Sequence, residues 1–166
     1  MDLIEHLVWS LEDTRQRTLK LLGEVSQEEF GWRPCGTCNS IGSIAIHIGR
    51  VEDAVANNAL GLGGLLWQTQ GWNEKFGMPA DDWGWAFDKQ APGSQATPQR
   101  VAEYLNVVRG RTLPALRALP PARLDEMTRG RQPRTVAQSL AFITVEELQH
   151  LGQMDYLKGM KRSMGA

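Results

Sequence analysis

The chain has few of the residues that stabilise small secreted domains. It contains two cysteines, Cys35 and Cys38, in 166 residues, too few for a framework of disulfides. It has no apolar run near the ~20 residues needed to cross a bilayer. Its N-terminal stretch carries Asp2 and Glu5 instead of a basic segment. We therefore expect a cytoplasmic protein with no membrane partner.

An excess of charge of either sign is also missing. The 18 basic and 19 acidic residues give a net charge of -1, which argues against a broad nucleic-acid-binding surface and against an acidic tail. The length is enough to bury one sizeable core without covalent cross-links. We therefore expect a single domain over residues 1–166 and no nucleic-acid partner.

Four stretches have the three- and four-residue apolar spacing of amphipathic helices. The predicted helices one to four cover residues 2–24, 40–60, 97–118 and 135–158. Ser40 is a good N-cap for helix two, and Gly61 can adopt the left-handed conformation at its C-terminus. Pro114 should bend or shorten helix three. The pattern predicts an all-α four-helix bundle.

The connection between helices two and three, residues 61–96, is too long for a plain bundle loop, where two to eight residues are usual. It is rich in aromatic residues: Trp67, Trp72, Phe76, Trp83, Trp85 and Phe87. Interspersed glycine, proline and aspartate suit an ordered segment better than a disordered linker. Two interpretations remain open, a flap over one end of the bundle and a simple extension of the core.

A carboxylate and an imidazole occur one turn apart in helix four, at Glu146 and His150. This spacing directs both side chains the same way. On a helical wheel they lie within about 40° of each other, on the stripe that carries Ile143 and Met154. Ionisable groups on an apolar face are costly to bury unless they pair or bind a cation. The pattern therefore indicates one half of a site.

His47 is the candidate for the other half, since it shares the apolar stripe of helix two with Ile44 and Val51. Helix bundles build metal sites from such facing side chains. We predict a divalent metal site of His47, Glu146 and His150. Three ligands and an open position are typical of catalytic zinc, two histidines and one carboxylate also suit Fe(II), and nickel is a third option. The alternative is a metal-free core with a hydrogen-bonded Glu146–His150 pair.

Three further polar residues bear on the choice of site residues. Glu147 is the alternative carboxylate if helix four is rotated in the bundle. Gln153, one turn after His150, could orient the site or a substrate, although an amide that packs between helices is the more ordinary role. His6 lies on a polar face and should be exposed to solvent.

A rival chemistry is offered by Cys35 and Cys38, a C-x-x-C pair shortly before helix two. Such pairs have a lowered thiol pKa when they lie at a helix N-terminus. A thioredoxin-like function expects a βαβ context that the sequence lacks. A structural zinc site would need two more ligands, and there is no second C-x-x-C to supply them.

Three groups of segments share a pattern with a known family. Trp32-Arg33-Pro34, Asn39-Ser40-Ile41-Gly42 and the run from Ala45 to Glu52 lead into and form part of predicted helix two. The run from His150 to Gly159 is in helix four, and Leu66-Trp67, Gly71-Trp72 and the run from Lys75 to Pro79 are in the long connection. These segments resemble, in turn, the entry into the second helix, the last helix and, in one branch, the intervening loop of the DinB-like superfamily of four-helix proteins. Its relatives include bacterial thiol-dependent transferases and the mycothiol-dependent maleylpyruvate isomerase.

The resemblance implies a divalent metal held by one histidine on helix two and a His-x-x-x-His pair on helix four. His47 and His150 match two of those ligands, and the third position falls on Glu146. It also implies a transferase that joins a low-molecular-weight thiol to an electrophilic small-molecule substrate. The alternative, favoured by the change to Glu146, is a non-catalytic metal-binding or stress-associated bundle with a vestigial site.

The resemblance further implies a homodimer. The outward part of helix one, or the loop from Trp67 to Phe87, offers apolar surface for a two-fold contact.

Overall fold

The computed structural model describes residues 2–80, 95–129 and 133–164, and this part of the chain is all-α. Its α-helices are α1 (Leu3–Glu24), α2 (Gln27–Gly31), α3 (Ile41–Leu60), α4 (Leu66–Thr69), α5 (Trp72–Lys75), α6 (Pro98–Arg117) and α7 (Val136–Met164). A 3₁₀ helix at Pro121–Asp125 leads towards α7. The four long helices α1, α3, α6 and α7 are the four that the sequence predicts.

The predicted helix starts are set by side-chain caps. The Ser40 hydroxyl accepts a hydrogen bond from the backbone N–H of Ser43, and Thr97 caps α6 in the same way. Gly61 ends α3 with a left-handed φ of 71°, a conformation that favours glycine. Helix α6 runs through Pro114 to Arg117, so the proline does not shorten it. Lying in the last turn, Pro114 interrupts the helix ladder only near its end.

The four long helices form the bundle, in which α1 and α3 are each packed against α6 and α7. Two groups of buried side chains fill it. One group surrounds Ile44, Tyr104 and Met154, and the other surrounds Leu11 and Leu140. The contacts bring α3 beside α7, which is the pairing that the predicted site requires.

Helix α7 is longer than the sequence predicts, since it passes Gly159 and ends at Met164. Gly159 is not among the glycines with positive φ, so it does not form a C-cap. The extra turn is paired with the short helix α2, which the sequence analysis missed: Lys161 Nζ lies 2.8 Å from a Glu28 oxygen, and Arg162 Nε lies 2.6 Å from Glu29 Oε1. These ion pairs give the end of α7 a partner that local sequence does not reveal.

The described part of the aromatic connection extends the core. Trp67, Trp72 and Phe76 are buried around Tyr104, with ring centroids 5.1–5.8 Å from its ring. For these three residues the structure favours the core-extension interpretation. The other members of the predicted set, Trp83, Trp85 and Phe87, lie outside the described residues.

None of the described helices combines the length and the apolar character that crossing a bilayer requires.

Candidate metal centre

The predicted site residues meet between α3 and α7. Glu146 Oε1 lies 3.2 Å from His47 Nε2 and 3.2 Å from His150 Nε2. The two imidazole rings are perpendicular, with centroids 4.8 Å apart. One ligand atom from each residue can be chosen so that all three lie within 4.8 Å of one another. The structure thus brings together, from two helices, the three side chains that the sequence singles out.

This cluster is reachable from solvent. The side chains of His47, Glu146 and His150 are 30%, 19% and 20% exposed. Apolar periodicity predicts that these residues lie on the inward stripes of their helices, whereas the structure places them at the edge of the core. A partly open position of this kind lets a small molecule approach the ligand atoms.

The hydrogen bond that His150 makes through Nδ1 determines whether its Nε2 carries a hydrogen or a lone pair. His150 Nδ1 lies 2.8 Å from Gln153 Oε1. An amide oxygen can only accept, so Nδ1 carries the hydrogen and donates it. In a neutral imidazole the lone pair is then on Nε2, which faces the Glu146 carboxylate. Two acceptors in contact repel each other, so this arrangement requires a proton or a cation between them.

The donor set fits a divalent cation. Ligand bonds of ~2.0–2.2 Å in a tetrahedral site place neighbouring ligand atoms about 3.3–3.6 Å apart. The two distances from Glu146 Oε1, both 3.2 Å, are close to that separation. A histidine ligand that donates its other N–H to an oxygen is the usual arrangement around bound metals. His47, Glu146 and His150 would hold the cation, and Gln153 would orient one of them.

Glu147 does not belong to this cluster. Its side chain is fully buried on the next face of α7, where Arg15 Nε lies 2.8 Å from Oε1 and Arg109 Nη2 lies 2.8 Å from Oε2. Both guanidiniums also bind the buried Glu52, at 2.6 and 2.7 Å. Two positive and two negative side chains, one from each long helix, therefore form a closed network. Glu147 is unavailable as a ligand.

Within the network, Arg15 and Glu52 are kept charged despite their burial. Burial lowers the pKa of Arg15, but the charges of Glu52 and Glu147 outweigh it, so that the pKa is raised. Burial likewise raises the pKa of Glu52, and the charges of Arg109 and Arg15 outweigh it, so that this pKa is lowered. Two guanidinium groups also donate to backbone carbonyls, Arg15 to Leu105 and Arg109 to Leu11. These contacts connect α1 to α6.

Sequence reasoning missed this network, although a signal for it exists. Arg15 follows Leu11 by four residues, Glu52 follows Ile48 by four, and Arg109 follows Leu105 by four. Each charged residue therefore occupies a position of an apolar stripe. Charges of opposite sign at stripe positions on different helices could have been paired in the same way as His47 and His150.

A second polar anchor holds the aromatic connection on α3. The buried Asp53 carboxylate accepts a hydrogen bond from the Trp67 backbone N–H at 2.9 Å and pairs with Arg111. Burial raises the pKa of Asp53, partly offset by the backbone hydrogen bond from Trp67. This anchor fixes the first aromatic side chain of the connection beside Tyr104.

Among the remaining predicted residues, Gln153 contacts the cluster through His150, whereas His6 and the two cysteines belong to other parts of the fold. His6 is exposed, as expected. Cys35 and Cys38 are joined by a disulfide in the segment between α2 and α3. Gln153 is exposed and bonded to His150, so its role as a packing amide is not supported.

The architecture and the site define a class of protein, a helical bundle with a histidine and carboxylate cluster between two of its helices. Residues 10–154 match the family model of the DinB superfamily. The chain belongs to that superfamily.

Two solved structures have the same fold. A crystal structure described as the conserved protein of locus from Enterococcus faecalis superposes with a TM-score of 0.82 at 20% identity, covering 95% of this chain and 96% of that one. A DinB-like protein from Bacillus cereus ATCC 10987 gives a TM-score of 0.69 at 18% identity, covering 95% and 91%. At these identities the likeness concerns the fold alone. No match was found among curated proteins.

Proposed function

We propose that the chain is a divalent-metal-dependent enzyme of the DinB superfamily whose ligands are His47, Glu146 and His150. The observation that supports this most is the convergence of His47 Nε2 and His150 Nε2 on Glu146 Oε1, each at 3.2 Å, with His150 also bonded to Gln153. Membership of the superfamily supports it independently. Zn, Ni and Fe all accept this donor set.

We further propose that the reaction joins a low-molecular-weight thiol to an electrophilic small molecule, as the superfamily resemblance implies. A divalent cation in such a site lowers the pKa of a bound thiol or water, so that a nucleophile forms at neutral pH. His47, Glu146 and His150 would hold the cation, and Gln153 would orient His150. The partial exposure of the three ligands leaves one side of the cluster open to solvent. The thiol proton passes to solvent, and the sulfur forms the new bond to the electrophilic carbon as the leaving group departs.

Metal analysis of protein purified without a histidine tag tests the first proposal. We expect one divalent metal per chain, either as purified or after adding Zn²⁺, Ni²⁺, Mn²⁺ or anaerobic Fe²⁺. His6→Ala is the matched control, since it removes the exposed histidine and should leave the metal content unchanged. A protein that binds none of the four ions would contradict the proposal.

Thiol consumption by the metal-loaded protein tests the second proposal. Glutathione or cysteine with monochlorobimane as the electrophile should give a rate that disappears in His47→Ala. Stoichiometric metal without any thiol consumption would instead support a second candidate, a non-catalytic metal-binding bundle. The observation that favours this candidate is Glu146 itself, a carboxylate at the position where the superfamily resemblance implies a third histidine ligand.

We also propose a homodimer, formed through the outer surfaces of α1 and α7. These adjacent helices expose large apolar side chains: Leu3 and Trp9 on α1, and Val145 and Leu148 on α7. The alternative location, the aromatic connection, has its described tryptophans buried. An obligate interface buries about 2,000 Å² or more, so the dimer should persist on dilution. Light scattering at micromolar concentration that gives a single 18.5 kDa chain contradicts it.

A further inference from the structure

The segment between α2 and α3 carries a disulfide that the proposed reaction does not use. Cys35 and Cys38 are bonded across a sequence separation of three. The backbone N–H of Cys38 donates to the Cys35 carbonyl at 3.1 Å, so the two cysteines flank a tight turn. Cys35 is exposed and Cys38 is half-buried. The bond is therefore accessible from one side.

This bond contributes little to the fold. The stabilisation that a disulfide gives through the unfolded state grows with the length of the loop it closes, and this loop is among the shortest possible. Both neighbouring helices are held without it. Ser26 caps α2 and Ser40 caps α3, each through a complete capping box, and Phe30 and Ile41 anchor them in the core. The pair is therefore not needed to hold either helix in place.

We propose that Cys35 and Cys38 form a two-electron redox site that exchanges with a low-molecular-weight thiol. A thiolate attacks Cys35 Sγ, a new sulfur–sulfur bond forms, and the Cys35–Cys38 bond breaks with its electron pair on Cys38 Sγ. A second thiolate attacks the thiol-derived sulfur of the mixed disulfide and releases the Cys35 thiolate. The protein disulfide is reduced, two thiols are oxidised to their disulfide, and their two protons end on the cysteines.

The positions of the two cysteines assign their parts in this exchange. The exposed Cys35 is the sulfur that an external thiolate can reach, which makes Cys38 the leaving group. Cys38 lies two residues before Ser40, the N-cap of the 20-residue helix α3. A helix N-terminus stabilises a nearby negative charge. The same asymmetry makes Cys38 the resolving thiol when the disulfide forms again.

The redox site is independent of the proposed metal centre, whose ligand atoms are nitrogen and oxygen. The double variant Cys35→Ser/Cys38→Ser should therefore keep its helical circular dichroism spectrum and its metal content. Loss of the metal in this variant would overturn the separation of the two sites. It would not by itself contradict the proposed function, which the histidine variants test.

Equilibration with a series of reduced and oxidised glutathione mixtures tests the exchange. Free thiols are alkylated with iodoacetamide and counted by intact mass. We expect the dithiol and disulfide forms to coexist within the series, in the folded protein. The Tm of the reduced protein should lie less than about 8 °C below the Tm of the oxidised protein, because the closed loop is so short.

Single variants test the assignment of the two sulfurs. With oxidised glutathione, Cys38→Ser retains the exposed Cys35 and should form its mixed disulfide on the order of tenfold faster than Cys35→Ser, because access limits exchange. The reverse order overturns the assignment. A disulfide that resists a large excess of reduced glutathione until the protein is denatured overturns the redox site. So does a pair that stays reduced in oxidised glutathione.

Discussion

Glu146 and Glu147 are neighbours in the chain, and they belong to two regions with opposite properties. Glu147 is fully buried and bound by two guanidiniums, whereas Glu146 is 19% exposed and faces two imidazoles. One residue along α7 turns a side chain by about 100°, so the two carboxylates point into different surroundings. Helix geometry alone separates a structural group from a candidate ligand.

The partners explain the difference in chemistry. An arginine is permanently charged, so the carboxylates of the buried network are neutralised and need nothing further. An imidazole is neutral or charged according to its protonation. Among the described residues, the hydrogen-bond partners of the Glu146 carboxylate are these two imidazoles. The buried network is therefore closed, and the cluster at the edge of the core can accept a cation.

The largest loss of stability should follow from removing one charged side chain from the buried network. Glu147→Ala leaves Arg15 and Arg109 buried with one carboxylate between them, and removal of one partner from a buried ion pair typically costs about 3–5 kcal/mol. Changing the partly exposed Glu146 to Gln should lower the free energy of unfolding by less than about 1 kcal/mol. Urea denaturation of the two metal-free variants measures both free energies of unfolding. Equal losses would contradict the distinction between the two carboxylates.

The second prediction concerns metal affinity, which should depend on the exposed cluster and not on the buried network. His47→Ala and His150→Ala should each abolish binding while the helical circular dichroism spectrum remains, because neither side chain belongs to the buried core. Glu146→Ala should weaken binding. Isothermal titration with the metal identified in the wild type provides the measurement. Binding that survives the loss of either histidine would refute the ligand set.

A smaller effect is expected from Gln153, which acts through His150. Gln153→Ala should lower metal affinity ~10–100-fold, the usual loss when the partner of a metal ligand is removed. Gln153→Glu keeps an acceptor opposite Nδ1 and should restore much of the affinity. Since Gln153 is exposed, the free energy of unfolding should hardly change. An unchanged affinity in Gln153→Ala would show that His150 needs no such orientation.

The two carboxylates also show which parts of the fold and of the site could be predicted from the sequence. Apolar periodicity located the four long helices, and the i, i+4 spacing of Glu146 and His150 on α7 identified half of the cluster. The network around Glu147 was missed because its partners are distant in sequence, 132 residues away for Arg15. Helical spacing shows which face a residue occupies but not which charge on another helix it will contact.

Local signals explain two further differences. The short helix α2 has a capping box, Ser26 with Glu29, which the sequence displays as S-x-x-E but which the apolar pattern overlooks in so short an element. The stop predicted near Gly159 in α7 was wrong because glycine only permits a C-cap. Its last turn depends on partners in α2.

The smallest effect should come from a pair that resembles the buried network in composition but lies at the surface. The hydrogen bond from Arg162, together with the backbone of Ser26, lowers the pKa of Glu29 from 4.5 to about 2. A carboxylate with a depressed pKa in the folded state stabilises the fold above its unfolded pKa. That contribution is lost as pH falls from about 4.5 through about 2.

Arg162→Ala should therefore destabilise the protein slightly at pH 7, less than any change to the buried network, because solvent and salt screen a pair whose arginine side chain is 51% exposed. Its difference from the wild type should shrink as pH falls below about 4.5. Lys20→Ala, which removes an exposed cation from α1 instead of α7, is the control for net charge. Urea denaturation at several pH values would measure this. A difference that stays constant down to the acid limit would mean that Arg162 contributes by packing on α2 and not through the charge of Glu29.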